Sequence, residues 1–197
     1  MNATRASSVI SFVILLLIGL TATAQTPGDN SKHFVKDGLV FDYPNGWTLE
    51  DQSTTDAQQL TLGRADSEAQ IRMFVHRGRA DTPEKIAQAK RAFIEPYIKA
   101  TNDSFVQMGA KPEQTSASAQ IGGVQAEGVR LRANLGGEPG EATIYWLALG
   151  NRVVVLTFFG SDKSLKQATL AWDAVRNSLH IEETKPTPKP SPKPSPK

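Results

Sequence analysis

The chain contains no cysteine among its 197 residues. That excludes disulfides, thiolate metal sites, a cysteine nucleophile and a lipid-modified cysteine behind a leader. Histidine is scarce too. His33, His76 and His180 lie far apart, without a His-x-x-x-His pair or a carboxylate at ligand spacing, so the sequence shows no metal centre. The terminal pair, His33 and His180, flanks the two ends of the body and is a metal candidate only if the terminal strands lie together. There is no G-x-S-x-G elbow: Gly160-Ser161-Asp162 lacks the closing glycine, and Ser161 is better explained as a helix cap. Gly122-Gly123 and Gly136-Gly137 open no helix and read as turns rather than phosphate cradles. The acid pairs Glu50-Asp51 and Glu182-Glu183 fall at strand or domain ends and read as solvated. With no catalytic constellation and no cofactor motif, the chain reads as a non-enzyme that needs no cofactor.

A strong charge of either sign is also missing from the body. The formal net charge is +2, but Arg5 lies near the amino end and Lys185, Lys189, Lys193 and Lys197 lie at the carboxyl end. Without those five, 17 of the 22 basic residues remain against 20 acidic ones. The body is therefore mildly acidic, and the basic pI is no argument for nucleic-acid binding.

Three regions flank or form the body. Arg5, the apolar run Val9 to Leu20 and Ala22-Thr23-Ala24 read as the three parts of a secretory signal peptide over residues 1–24, with cleavage expected after Ala24 and an uncleaved membrane anchor as the alternative. The apolar run falls short of the roughly 20 residues that a spanning helix needs, so the product is expected in the periplasm or outside the cell, peripheral to a membrane at most. Residues 25–32 are polar and read as a flexible lead-in. Residues 33–183 form one domain, and at about 150 residues such a domain buries roughly 70% of its unfolded surface without staples. Residues 184–197 repeat Lys-Pro-x-Pro and read as a disordered, extended polyproline-II arm.

Within the body, Val153 to Phe159 is a β-branched and aromatic run bounded by Gly150-Asn151 and Gly160-Ser161. It reads as a strand buried on both faces. Ser161 caps a helix whose stripe is Leu165, Ala168, Trp172, Val175 and Leu179, followed by a short exit strand at His180-Ile181. Upstream, Leu39, Phe41 and Tyr43 alternate in a strand, Pro44-Asn45-Gly46 turns, and Trp47 and Leu49 begin a returning strand. Leu60 and Leu62, then Ile71, Met73 and Val75, mark two more strands. Thr82-Pro83-Glu84 starts a helix with Ile86, Ala89, Phe93, Tyr97, Ala100 and Met108 inward, and Pro96 breaks or kinks it near Glu95. Gly122-Gly123 joins two strands as a hairpin. The apolar phase slips from Val124 and Ala126 to Val129, Leu131 and Ala133, which predicts a β-bulge at Gly128. Gly136 to Gly140 turns the chain into Ala142 to Leu149, apolar on both faces. The class is α+β: an antiparallel sheet of about six to eight strands covered by two main helices.

Two segments carry a family resemblance. Phe34 and then Leu39-Val40-Phe41-Asp42-Tyr43-Pro44-Asn45-Gly46-Trp47 resembles the opening of PsbP-like domains. Phe158-Phe159-Gly160-Ser161, a helix bearing Trp172 and Asn177-Ser178-Leu179-His180-Ile181 resembles their end. The resemblance spans about 34–182 and implies an antiparallel sheet sandwiched by helices. Members range from a photosystem II extrinsic subunit to DcrB-type periplasmic proteins and a nuclear-transport regulator, so it implies little about activity. No ligand-binding residue of that family maps onto this chain.

Two surface features remain. Arg130 and Arg132 share one face of their strand, and with Arg72 nearby they would form an anion or partner site. The alternative is a solvated face of snorkelling arginines. Lys185, Lys189, Lys193 and Lys197, four residues apart, suit an envelope polyanion. The reading is a non-catalytic exported accessory or binding module that docks an envelope protein partner. A small-ligand or metal-binding protein using a helix–sheet cleft is the first alternative, and an unrecognised hydrolase the second.

Overall fold

A computed structural model describes residues 31–182. The leader, most of the lead-in and the Lys-Pro repeat lie outside the described residues.

The central element is an antiparallel seven-stranded sheet in the order β3-β4-β5-β9-β8-β7-β6. Its strands are β3 (Thr48–Asp51), β4 (Ala57–Arg64), β5 (Ser67–His76), β6 (Glu113–Ile121), β7 (Val124–Leu135), β8 (Glu138–Leu149) and β9 (Arg152–Ser161). A second, three-stranded antiparallel sheet has β2 (Leu39–Pro44) between β1 (Ser31–Lys36) and β10 (His180–Ile181). β9 is buried from Val153 to Leu156 on both faces, as its unbroken apolar run predicts. One face packs Val154, Leu156, Ile71 and Met73 against Leu39 and Phe41 of β2 and against α3 (Asp162–Gln167) and α4 (Thr169–Ser178). The other packs Val153, Val155, Ile144 and Leu131 under a helix running from Pro83 to Gln107. The α+β class and the two-sided cover are as the sequence predicts. The cover is three helices rather than two, because α3 and α4 replace a single helix. Ala168 joins them with φ −90° and ψ 1°. The predicted stripe still lies on one side: Leu165, Ala168, Trp172, Val175 and Leu179 are all buried.

The long helix begins as predicted, with the Thr82 hydroxyl accepting from the Lys85 N–H. It comprises α1 (Pro83–Ala89), a π-helical turn (Lys90–Ile94) and α2 (Glu95–Gln107). Pro96 offers no N–H and crowds the carbonyl four residues back. The chain responds by widening a turn, so that the Glu95 N–H donates to Lys90 O, five residues back. The extra residue rotates everything beyond it by about 100°. The buried stripe is therefore Ala89, Ile94 and Phe105, with Tyr97 and Ile98 half-buried. Ile86, Ala100 and Met108, predicted inward, are exposed.

Gly128 does not mark a bulge. β7 keeps unbroken register with β6 and β8, Gly128 lying opposite Ala117 and Tyr145. The apolar phase slips because the cover changes sides: Ala126 packs on the α4 side, Leu131 and Ala133 under the long helix. The returning strand predicted after Trp47 does not pair with β2; β3 pairs with β4 in the larger sheet. β1 begins at Ser31, two residues inside the predicted lead-in. It joins β2 through Asp37-Gly38, both at positive φ (51° and 79°), a hairpin turn the sequence signals by its Asp-Gly pair. The Gly136–Gly140 turn is shorter than predicted, with Pro139 and Gly140 already in β8.

Side chains clasp the two sheets. Gln58, fully buried, donates through Nε2 to Lys36 O at 2.9 Å. Arg152 donates to Asp37 O at 2.7 Å. Lys36 Nζ meets Asp51 Oδ2 at 2.6 Å, so Asp51 is an ion-pair partner rather than a merely solvated acid. The Lys36 ammonium, helped by Ser53, holds the Asp51 carboxyl down to about 2. A lowered carboxyl pKa stabilises the fold above the unfolded value of about 3.9, and the stabilisation is lost as pH falls through the folded value. Lys36→Met should therefore be less stable than the native chain near pH 5. The gap should narrow as pH drops from about 4 to about 2, read from denaturant midpoints; a gap that stays constant across this range would contradict the clasp.

Candidate functional site

The structure separates the three arginines. Arg130 lies opposite Thr143, and Arg132 opposite Glu141, on the face that carries α3. Arg130 Nε is 3.4 Å and Arg132 Nη1 3.3 Å from the same Glu141 Oε2. Arg132 Nη2 also donates to Asp162 Oδ2 at 2.5 Å. Two cations thus face two carboxylates of the chain itself, and the charge an anion would need is already answered. Arg72 lies opposite Thr61 and Thr157, on the other face of the sheet.

The two terminal histidines do not meet. β1 and β10 flank β2 from opposite sides, so β2 lies between His33 and His180. The His33 ring nitrogen is 2.6 Å from Asp42 Oδ1, and that of His180 is 2.7 Å from Ser178 O. Among the described residues no three His, Asp or Glu side chains gather as a metal site would require. Ser161 acts as predicted, its Oγ accepting from the Ser164 N–H to cap α3.

A helix–sheet cleft, the site of the first alternative, lies around Arg72, away from Arg130 and Arg132. Residues of β3, β4, β5 and β9 together with Tyr97 of α2 enclose open space on the long-helix face of the sheet. Two cavities of about 630 and 390 Å³ open there, and Arg72, Tyr97 and Thr157 line both. The larger mixes polar and apolar walls: Glu50 of β3 and Gln52 just past it, Gln59 and Thr61 of β4 and Gln70 of β5 stand beside Leu60, Met73, Phe74 and Val155. The smaller runs under α2 and is more apolar, with Phe105, Met108, Ala142 and Phe159.

Each wall has a local cause. Alternation along β5 puts Ile71 and Met73 into the core and turns Gln70, Arg72 and Phe74 to the cleft. The π-helical turn sets the phase of α2 and presents Tyr97, whose hydroxyl lies 3.1 Å from Thr157 Oγ1. Arg72 is held from two sides. Its Nε and Nη2 donate to Gln70 Oε1 at 2.9 and 2.8 Å. Its guanidinium carbon sits 5.4 Å from the centre of the Phe159 ring, which in turn stacks on Phe105 with centroids 6.0 Å apart. Among the described residues Arg72 has no carboxylate ion-pair partner. The arrangement can orient a ligand and supply positive charge. Its polar walls are amides, hydroxyls and the carboxylate of Glu50, which lies two strands from Arg72 in register.

Solved structures resemble the body. Cyanobacterial PsbP (CyanoP) from Synechocystis sp. PCC 6803 is 14% identical with a TM-score of 0.52, covering 83% of this chain and 99% of that one. A protein from Bacteroides thetaiotaomicron is 14% identical with a TM-score of 0.51, and the match covers 78% of this chain but 49% of that one. LpqN of Mycobacterium tuberculosis, described as involved in cell envelope biogenesis, is 14% identical at a TM-score of 0.41 over 77% of this chain and 89% of its own. No protein-family model matches the chain, and no curated protein matches it in sequence. At such identities the likeness is one of architecture: the described body has a PsbP-like fold.

Proposed function

We propose that the protein is an exported, non-catalytic binding module of the cell envelope whose working surface is the helix–sheet cleft around Arg72. The observation that carries this reading is the pair of neighbouring cavities of about 630 and 390 Å³ that share Arg72, Tyr97 and Thr157. Concave, partly apolar sites of this size with a few convergent polar groups are how folds hold small ligands. A flat protein-docking face is less supported: Val35, Val124 and Leu170 are exposed singly on β1, β7 and α4, and of the exposed apolar side chains Ile86, Val106 and Met108 along the long helix, Met108 lines the cleft itself. The leader supports export, and no helix among the described residues is long and apolar enough to cross a membrane.

Ser104 is exposed on α2 and lines the apolar cavity, so Ser104→Trp should fill it without disturbing the core. In a thermal-shift panel of anions, cations, neutral amphiphiles and metal ions, the native chain should find a stabiliser. A ligand at 100 times its Kd adds about 2.7 kcal/mol, roughly 5–10 °C for a domain of this size. Ser104→Trp should abolish that shift. A panel without any stabiliser, or a shift that survives the substitution, would contradict the reading.

The tail extends the same role. Lys185, Lys189, Lys193 and Lys197 tether the module to envelope polyanions through salt-sensitive contacts. Removal of residues 184–197 should reduce co-sedimentation with envelope fractions at low salt, and unchanged partitioning would remove the tether.

A further inference from the structure

Resting on the reading of the cleft as the binding surface, we propose that its ligand is a singly charged amphiphilic carboxylate, with the head group on Arg72 and the apolar body along Phe105, Phe159 and Met108.

The head-group assignment comes from charge. Arg64, Arg77, Arg79, Arg130, Arg132 and Arg176 each face an Asp or Glu. Arg152 has neutral partners, its Nη1 donating to Asp37 O and Gln58 Oε1 in the clasp between the sheets. Arg72 is the arginine that lines the cleft, and its partner is the neutral amide oxygen of Gln70, reached through Nε and Nη2. That contact occupies one edge of the guanidinium fork. The edge formed by Nη1 and Nη2 is left for a bidentate acceptor, and a carboxylate matches its planar geometry. Gln70 and the Phe159 ring already hold the side chain in place, so binding need not order a free arginine.

Glu50 limits the charge. It lies in register with Thr61, and Thr61 with Arg72. That puts the Glu50 and Arg72 backbones roughly 10 Å apart at the usual strand spacing. A dianion on Arg72 would feel this second carboxylate, whereas a monoanion keeps most of the gain.

The apolar body follows from the smaller cavity. Phe105 of α2 and Phe159 of β9, stacked on each other, line it together with Met108, which is 56% exposed. A flexible thioether beside aromatic rings can close over an aliphatic chain. Arg72 lines both cavities, so a head group bound there leaves its tail at the apolar entrance.

The test is calorimetric titration of the chain from Gln25 to Lys197 with dodecanoate, dodecanol and dodecyltrimethylammonium, each below its micellar concentration. Dodecanoate should bind tightest. Arg72→Gln, at an exposed position, should weaken dodecanoate about tenfold to a hundredfold, the range of a charge-assisted contact. It should leave dodecanol within about twofold. Ser104→Trp should remove both. Equal dodecanoate affinity in the native chain and Arg72→Gln, or a preference for the cationic amphiphile, would overturn the carboxylate assignment. The cleft reading would still stand if Ser104→Trp blocked dodecanol. If no amphiphile binds and the panel shift survives Ser104→Trp, both fall.

Discussion

Trp172→Ala is expected to cost about 3–5 kcal/mol, the usual range for removing a buried aromatic. Trp172 is the keystone of the α4 layer. It is 9% exposed and stacks on Phe158 of β9 with centroids 4.9 Å apart and planes 8° from parallel. Its other neighbour is Tyr145 of β8, at 5.8 Å. Such ring pairs add roughly 0.5–1.5 kcal/mol beyond the area they bury. Removing the indole leaves a cavity between helix and sheet that rigid strands can only partly close. At roughly 2–4 °C per kcal/mol for this size of domain, the melting point should fall by about 6–20 °C. Leu170→Ala in the same helix is the control: Leu170 is 81% exposed and should change stability by no more than about 0.5 kcal/mol. Equal effects from the two substitutions, read by calorimetry, would mean that α4 does not pack through Trp172.

Gly128→Val should be nearly as damaging, at about 3 kcal/mol, the upper part of the overpacking range. A Cβ at Gly128 would lie 2.6 Å from Ile144 O and 2.7 Å from Tyr145 Cδ1. Backbone on one side and the Trp172-backed Tyr145 ring on the other leave neither contact free to yield. The cause is steric, since Gly128 is not at positive φ. Gly123→Ala separates the two kinds of glycine. Its φ is +76°, with nothing within 4 Å of a new Cβ, so only backbone strain of about 1–2 kcal/mol is expected. Denaturant midpoints should rank Gly128→Val well below Gly123→Ala; the reverse order would restore the bulge.

Gly128 also shows what a sequence can and cannot disclose. The shift of apolar residues from even to odd positions in β7 is plain in the chain. A bulge and a change of covering layer produce the same pattern, and only the register separates them. Elements with unambiguous periodicity were legible: the doubly buried β9, the α3–α4 stripe and the Thr82 and Ser161 caps. Pro96 announces a break, yet the chain remains helical by inserting one residue, and that insertion advances the inward stripe by one position, burying Ile94 and Phe105 and leaving Ala100 and Met108 exposed. β1 escapes pattern reading because Ser31 to Lys36 is polar and mostly exposed, although Asp37-Gly38 marks its hairpin.

The site was less legible than the fold. Alternation along β7 correctly puts Arg130 and Arg132 on one side of it. Which side Arg72 shares depends on pairing through β8 and β9, and no local signal carries that. The ion pairs to Glu141 and Asp162 join residues 9 and 30 positions from Arg132. The cleft draws its walls from β3, β4, β5, β9 and α2, residues spread from Glu50 to Phe159, so no local motif announces it.

The most direct measurement is an amide chemical-shift titration of the chain from Gln25 to Lys197 with dodecanoate. The account predicts perturbations centred on Arg72, Tyr97, Thr101 and Phe159, the residues around the cleft on the long-helix face. Perturbations confined to Arg130, Arg132 and Asp162, on the opposite face of the sheet, would contradict it.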